Sequence, residues 1–223
     1  MKQAENFSNE ESLDIISQMI KKAKNSFLDD GFGPMLWGFT VVFCAILQII
    51  FIANNIYGGF KNPWLLTFVA GLIQINYNIK QGKKKLAKSW NDTAMLYIWS
   101  AFAITMLLGT FIKPWAEGLF FPGKGSNSID SFSIFLLYGT PTFITGGIMK
   151  FKPMFYGGIV CFLCAFLSLF INKAAYTNLI TQSHAGYLLL TLTAISAAFA
   201  WLVPGIILRL KFNKAKAAQH EHV

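Results

Sequence analysis

The sequence predicts an all-α polytopic membrane protein with six transmembrane helices, preceded by an N-terminal amphipathic interfacial helix. Two observations carry this prediction. Hydrophobic residues make up 54% of the 223 positions and charged residues only 13%, whereas a soluble domain carries about 25% charged residues. The charges are also spaced so that long windows contain none of them. So much apolar surface cannot be buried inside a water-soluble globule of this size, and lipid is the expected solvent.

The first element is the N-terminal segment, whose apolar side chains recur at helical spacing. Its stripe consists of Leu13, Ile16, Ile20 and Phe27, and polar side chains occupy the opposite face. Such a helix is too polar to cross a membrane. Two interpretations are open: the helix lies on the membrane surface, or it docks on a partner protein or a second copy. These four residues are the candidate partner-docking residues.

Six charge-free windows follow, and each can hold one membrane crossing. A helix rises about 1.5 Å per residue, so about 20 apolar residues cross a hydrocarbon core of about 30 Å. The predicted spans are 34–54, 63–79, 93–112, 131–149, 153–171 and 184–208. Continuous apolar runs within them favour helices over the alternating segments of a β-barrel. The chain therefore divides into a cytoplasmic helix at 1–33, a transmembrane domain at 34–208 and a basic tail at 209–223.

The basic residues orient the predicted spans. With the N-terminus inside, 15 of the 19 Lys and Arg residues lie in the inner segments. Cytoplasmic segments carry the excess of such residues in membrane proteins. We therefore expect a multi-pass protein of the cell inner membrane, with both termini in the cytoplasm. The net charge of +9 then reflects topology, and the composition argues against a nucleic-acid partner.

The interior of the predicted spans lacks the residues that most membrane chemistry requires. No Asp, Glu, Lys or Arg lies within them, whereas proton relays, ion-coupled carriers and voltage sensors rely on intramembrane ionisable groups. The sequence also has no His-Glu-x-x-His, phosphate-loop or Gly-x-Ser-x-Gly motif. We therefore expect no enzyme activity, no cofactor, and no catalytic or metal-binding residues.

Spans four to six contain the least regular sequence. Pro141 removes an amide and is expected to kink span four, where neighbouring threonines can bond to the freed carbonyls. Glycines flank the short turn between spans four and five and allow close helix approach. The candidate solute or packing site comprises Thr140, Pro141, Thr142, Thr145, Gly146, Gly157 and Pro204. Broken helices near one another form solute sites in many carriers, and they also form ordinary packing contacts.

Two stretches carry a family resemblance. One is Met19–Asn25 leading to Leu36–Gly38, and the other runs from Gly139–Gly147 through Phe151–Pro153 to Gly157–Gly158. Together they resemble small six-span integral membrane proteins of Bacteroidota, and the resemblance extends from the amphipathic helix to span five. It implies an inner-membrane location and carries over no activity and no functional residue.

Two functional hypotheses remain at this point. The leading one is a non-catalytic membrane protein that binds or regulates a partner through its cytoplasmic helix and basic loops. Its expected partners are the lipid bilayer and either a second copy or a cytoplasmic protein. The alternative is a carrier or channel for a neutral or lipid-like solute through the Gly- and Pro-rich part of spans four to six. A polar cavity reaching Pro141 would favour the carrier, and a filled core would argue against it.

Overall fold

A computed structural model describes residues 30–56, 62–83, 90–113, 115, 119 and 130–220, which are helical apart from short turns. The helices are α1 (Phe32–Ala53), α2 (Leu66–Gly82), α3 (Trp90–Leu107), α4 (Ser131–Ile148), α5 (Lys152–Tyr176), α6 (Gln182–Ala197) and α7 (Val203–His220). A 3-10 turn, Pro63–Leu65, precedes α2, and π turns follow α3 (Leu108–Ile112) and α6 (Ala198–Leu202). The predicted N-terminal helix, with Leu13, Ile16, Ile20 and Phe27, lies outside the described residues.

Five helical segments of the described chain are long and apolar enough to cross a membrane. They are Phe32–Ala53, Trp90–Thr110, Ser131–Ile148, Lys152–Tyr176 and Gln182–Ala218. Helix α2 supplies a sixth apolar segment of 17 residues, and the 3-10 turn that precedes it adds three more. These segments fall on the six windows predicted from the charge spacing, and no strand occurs in the described residues. The all-α, polytopic class predicted from the sequence is confirmed.

The core of the bundle is formed by α1, α4, α5 and the joined helices α6 and α7. Helices α4 and α5 pack as an antiparallel hairpin, because only residues 149–151 separate them. Helix α1 packs against α6 and α7, while α2 rests on α1 and α3 rests on α4. Helices α2 and α3 are therefore peripheral. Ala70 is the one buried residue that the structure describes in α2, and it describes none in α3.

The bundle has two ends, which we name after the acidic residue at each. At the Asp30 end, the start of α1 meets the end of α2 and the middle of α7, since the Asp30 carboxylate contacts both Tyr77 and Arg209. At the Asp130 end, Asn172 near the end of α5 donates a hydrogen bond of 3.0 Å to Ser131 at the start of α4. Helices α1 and α2, like α4 and α5, thus run in opposite directions, as repeated crossings require.

Asp30 fastens three helices together in what we call the Asp30 clamp, formed by Asp30, Tyr77, Gln81 and Arg209. The carboxylate accepts hydrogen bonds from the Tyr77 hydroxyl, from the Phe32 amide at 3.1 Å and from the Arg209 guanidinium at 3.3 Å. The Tyr77 hydroxyl in turn accepts a bond of 2.7 Å from the Gln81 side chain. Charge-assisted hydrogen bonds of this kind are stronger than neutral ones, so the entry of the chain into the bundle is fixed in position.

The last predicted span is interrupted by a π turn, and the helix does not break at Pro204. Proline has no amide, so Pro204 cannot donate to the carbonyl four residues earlier. The hydrogen-bond ladder shifts by one residue, and the amide of Val203 donates to the carbonyl of Ala198. Beyond this point α7 stays helical to His220. The basic tail predicted to start at residue 209 therefore begins inside a helix, because α7 continues the last span beyond the apolar window.

Glycines hold the π turn of α6 on both sides. A Cβ atom added at Gly38 of α1 would collide with the backbone of Leu202, and one added at Gly157 of α5 would collide with the carbonyl of Phe199. Backbones can approach this closely only where a side chain is absent. The π turn is thus clamped between α1 and α5, and this contact fixes the depth at which the three helices meet.

Candidate functional site

The site residues predicted in α4 divide into one exposed residue and four buried ones. Thr140 is exposed, and its hydroxyl donates a hydrogen bond of 2.8 Å to the carbonyl of Leu136 in its own helix. The buried residues are Pro141, Thr142, Thr145 and Gly146. The Thr140 hydroxyl therefore finds its hydrogen-bond partner within α4, and the contacts of α4 with other helices involve the four buried residues.

Thr142 joins α4 to the π turn of α6 through a hydrogen bond between side chains. The indole Nε1 of Trp201 donates to the Thr142 hydroxyl at 2.9 Å, and that hydroxyl donates to the carbonyl of Tyr138 at 2.7 Å. Trp201 is only 2% exposed. A buried indole N–H without an acceptor is costly, so Thr142 supplies the group that allows Trp201 to enter the core.

The Trp201 ring that donates this bond packs with three other aromatic rings, and we call the four the aromatic cluster: Trp99, Phe102, Tyr138 and Trp201. Ring centroids are separated by 4.7 Å for Tyr138 and Trp201, and by 6.0 Å for Phe102 and Trp201. Trp99 lies 6.3 Å from Trp201. Trp99 and Phe102 belong to α3 at helical spacing, so the peripheral helix α3 closes the core over Trp201.

The remaining predicted residues are packed against backbone and not against open space. A Cβ atom at Gly146 would collide with the backbone of Phe155, and Gly157 faces the carbonyl of Phe199. Pro204 is among the largest fully buried side chains of the described chain. The structure therefore brings Thr142 and Gly157 to the same π turn, and Pro141 is buried beside Thr142 in α4. Packing is the interpretation that this geometry favours.

Thr145 differs from its neighbours because its buried hydroxyl has no hydrogen-bond partner among the residues that the structure describes. Thr140 and Thr142, by contrast, each donate to a carbonyl one turn earlier. A buried hydroxyl without a partner costs about 1–3 kcal/mol. The two buried threonines of α4 thus have opposite roles. The Thr142 hydroxyl both accepts and donates a hydrogen bond, whereas the Thr145 hydroxyl is buried without a described partner.

This difference yields a prediction for a pair of matched substitutions. We expect Thr142→Val to lower the free energy of unfolding by about 1–2 kcal/mol, because it leaves the Trp201 indole N–H buried without an acceptor. Thr145→Val should leave stability unchanged or raise it, because the substitution removes an unpaired hydroxyl at nearly constant volume. Thermal unfolding of the purified protein in one detergent measures both variants. Equal destabilisation by the two substitutions would contradict the assigned roles.

A second feature is a shallow groove of about 360 Å³ at the Asp130 end, outside the predicted site. Its lining residues are Thr105, Leu108, Gly109, Lys113, Asp130, Ser133 and Leu137. The side chain of Ser133 donates to Asp130 at 2.6 Å. This bond, aided by the Ser133 amide and the charge of Lys113, holds the pKa of Asp130 below its usual value. Asp130 is therefore charged and serves as the N-cap of α4, which is a structural role.

The described residues contain few groups suited to chemistry. No group of three or more His, Cys, Asp or Glu side chains is arranged to hold a metal ion in this part of the chain. Cys44, Cys161 and Cys164 are free thiols buried in the helices. The Cys44 thiol donates to the carbonyl of Pro63 at 3.1 Å and thereby helps to attach α2 to α1.

Sequence reasoning missed Trp201 and Gly38, although both belong to the contact that organises the core. The available signal for Trp201 was Pro204, since a proline three residues later predicts a shift of the helical ladder. Gly38 carried no comparable signal, because the need for a glycine there arises from the backbone of Leu202, which is far away in sequence.

Comparison of the whole chain with protein-family models, with curated proteins and with solved structures finds no match.

Proposed function

We propose that this protein is a multi-pass protein of the cell inner membrane that binds a partner protein without catalysing a reaction, and regulates it. The observation that supports this proposal best is the combination of a closely packed core with the fixed position at which the chain enters the bundle, at Asp30. The Asp30 clamp directly follows the amphipathic stripe of the N-terminal segment. A partner held by that stripe would therefore be linked to α1, α2 and α7 together.

The charge distribution supports cytoplasmic termini. At the Asp30 end the described chain carries eight basic residues, Lys80, Lys83, Lys150, Lys152, Arg209, Lys211, Lys214 and Lys216. At the Asp130 end it carries Lys113 and Lys173. An excess of Lys and Arg is characteristic of the cytoplasmic face. We infer that the Asp30 end faces the cytoplasm and that α7 projects into it.

The contacts of the core support a binding role over a catalytic one. Catalysis requires a nucleophile, a base or a bound metal within reach of a substrate. Apart from Thr145, the buried hydroxyl groups of the described core instead bond to each other or to helix carbonyls, as in Thr142 and Ser168. These bonds stabilise the helices and their packing, and the acidic side chain of the groove at the Asp130 end, Asp130, caps α4.

The proposal predicts that partner capture depends on the apolar face of the N-terminal helix. We expect Ile16→Ser combined with Ile20→Ser to reduce the amount of crosslinked partner at least tenfold, because an apolar stripe is what such a helix offers to a protein. Crosslinking in native membranes, followed by purification and mass spectrometry, measures the captured amount. Ser17→Ala combined with Gln18→Ala changes the polar face of the same helix and is the matched control.

Two results would contradict this prediction. One is recovery of the monomer alone from crosslinked membranes. The other is equal capture by the apolar-face variant and the unmodified chain, which would assign the stripe to lipid.

The second candidate is a carrier for a neutral or lipid-like solute, and the unpaired hydroxyl of Thr145 is the observation that favours it. Loss of flux in Gly146→Leu would not distinguish the candidates, since a leucine there would collide with the backbone of Phe155 and disrupt the fold. Thr145→Val is the informative variant. A reconstituted flux that this substitution abolishes without loss of stability would favour the carrier over the partner-binding protein.

A further inference from the structure

Three lysines from two distant chain segments lie next to one buried aromatic residue, Phe151, at the Asp30 end: two are its chain neighbours and the third contacts its ring. Lys150 precedes Phe151 in the turn between α4 and α5, and Lys152 follows it as the first residue of α5. The Nζ atom of Lys211 on α7 lies 5.1 Å from the centroid of the Phe151 ring. Phe151 itself is buried, whereas the three lysines are exposed. We call Lys150, Lys152 and Lys211 the Phe151 lysine cluster.

No ion pair joins this cluster to a described carboxylate. The described acidic residues are Asp30, Asp92 and Asp130. Asp30 is paired with Arg209 in the clamp, and Asp130 lies at the opposite end of the bundle. None of the three lysines forms an ion pair with a carboxylate in the part of the chain that the structure describes. Three like charges held together by the fold create a local positive potential that attracts an anion.

The backbone at Lys150 gives a second, independent indication. Lys150 has a φ of +50°, in the left-handed region, and it closes α4 with hydrogen bonds from its own amide to Gly147 and from the Phe151 amide to Gly146. Glycine is the usual residue at such a helix end, and asparagine is the common substitute. The other described non-glycine residues with positive φ are Asn55 and Asn178. Lysine is therefore costly here, and strain of this kind is typical of functional positions.

The helix that follows offers an apolar track beginning at the cluster. Tyr156, Leu163 and Phe170 lie on the same face of α5 as Lys152, at intervals of about whole helical turns. Each of the three is more than half exposed. A long hydrocarbon chain could lie along this stripe while a charged group occupied the cluster. A free phosphate ion would use the lysines alone and gain nothing from the stripe.

We propose that the Phe151 lysine cluster binds the phosphate of an anionic glycerophospholipid in the cytoplasmic leaflet, with an acyl chain along Tyr156, Leu163 and Phe170. Basic pockets at the cytoplasmic ends of membrane helices bind such headgroups. The lipid would bridge α7 to the α4–α5 hairpin at the point where the Lys211 ammonium contacts the Phe151 ring. The choice of the cytoplasmic leaflet rests on the orientation inferred above, whereas the inference does not depend on the proposed partner.

The test compares lipid retention by the full-length protein in nanodiscs of phosphatidylcholine with 20% phosphatidylglycerol. Native mass spectrometry counts the phosphatidylglycerol molecules that remain after extraction into detergent. We expect Lys150→Gln, Lys152→Gln and Lys211→Gln together to reduce retention at least tenfold. The matched control is Lys80→Gln, Lys83→Gln and Lys216→Gln, which removes the same charge at the same end of the bundle and should change retention less than twofold.

Three outcomes would overturn the proposal. Equal loss in the control triple variant would show general charge attraction. Equal retention of phosphatidylcholine by the unmodified protein would show that the headgroup charge is irrelevant. Displacement of the lipid by inorganic phosphate at a concentration equal to that of phosphatidylglycerol would assign the cluster to a free anion.

A single substitution separates ligand binding from a structural role of Lys150. Lys150→Gly relieves the left-handed strain, so its midpoint of thermal unfolding in lipid-free detergent should rise. Its retention of phosphatidylglycerol should nevertheless fall several-fold, because one of the three charges is lost. If Lys150 had a structural role alone, the unfolding midpoint and the lipid retention would not change in opposite directions. A variant that unfolds at lower temperature, or that retains the lipid fully, would contradict the proposal.

Discussion

Replacing Gly38 with alanine is expected to lower the free energy of unfolding by about 3 kcal/mol, at the upper end of what overpacking usually costs. The added Cβ atom would collide with the backbone of Leu202 and would lie only 2.7 Å from its Cα atom. Backbone in the π turn cannot move aside, because Gly157 of α5 holds it from the other side. The clash therefore outweighs the gain of up to about 1 kcal/mol that alanine offers over glycine within a helix.

Gly71→Ala provides the matched control for this prediction. Gly71 lies inside α2, and a Cβ atom added there would meet nothing within 4 Å. We expect this variant to be as stable as the unmodified protein or slightly more stable. Thermal or denaturant unfolding in the same detergent compares the two alanine variants. If Gly38→Ala and Gly71→Ala have the same midpoint of unfolding, α1 does not contact the π turn as closely as the structure requires.

Removing the indole of Trp201 is the second substitution with a large expected effect. Trp201→Ala should lower the free energy of unfolding by about 3 kcal/mol, which is the lower end of the range for replacing a buried tryptophan with alanine. The lower end applies because lipid solvates apolar groups about as well as the core does, so packing and hydrogen bonding are what is lost. The deletion empties the centre of the aromatic cluster and leaves Thr142 without its donor.

Two further variants make this prediction specific. Trp201→Phe keeps a ring in the cluster and removes the indole donor, so it should cost about 1 kcal/mol. Trp90→Ala deletes a tryptophan that is 74% exposed and should leave stability nearly unchanged. Loss of tryptophan fluorescence during thermal unfolding gives the midpoint for each variant. A similar midpoint for Trp201→Ala and Trp90→Ala would show that Trp201 does not hold the core together.

The elements of the fold could largely be predicted from the spacing of charges. Lipid offers backbone groups no hydrogen-bond partners, so each charge-free window of about 20 residues must fold on itself as a helix. This reasoning needs no knowledge of neighbours, and it located the helices around Phe32–Ala53 and Lys152–Tyr176 within a few residues. The hairpin of α4 and α5 followed in the same way from the short connection between them.

The candidate site was predicted only in part. Pro141 and the threonines beside it are recognisable in sequence, because a proline in a helix always frees a carbonyl. Which threonine has a partner could not be predicted, since Thr142 and Thr145 are chemically identical and lie about one turn apart. Trp201 selects Thr142 from another helix, and that choice depends on how the two helices are rotated about their axes.

The sequence by itself determined the membrane class, the approximate positions of the apolar helices and the unequal distribution of basic charge, because each depends on residues that are close together along the chain. The tertiary structure alone decided that Gly38 and Gly157 enclose the π turn, that Trp201 pairs with Thr142 and that Asp30 reaches Arg209. These contacts join residues far apart in sequence. Their formation depends on the depth and rotation of whole helices, which no local pattern specifies.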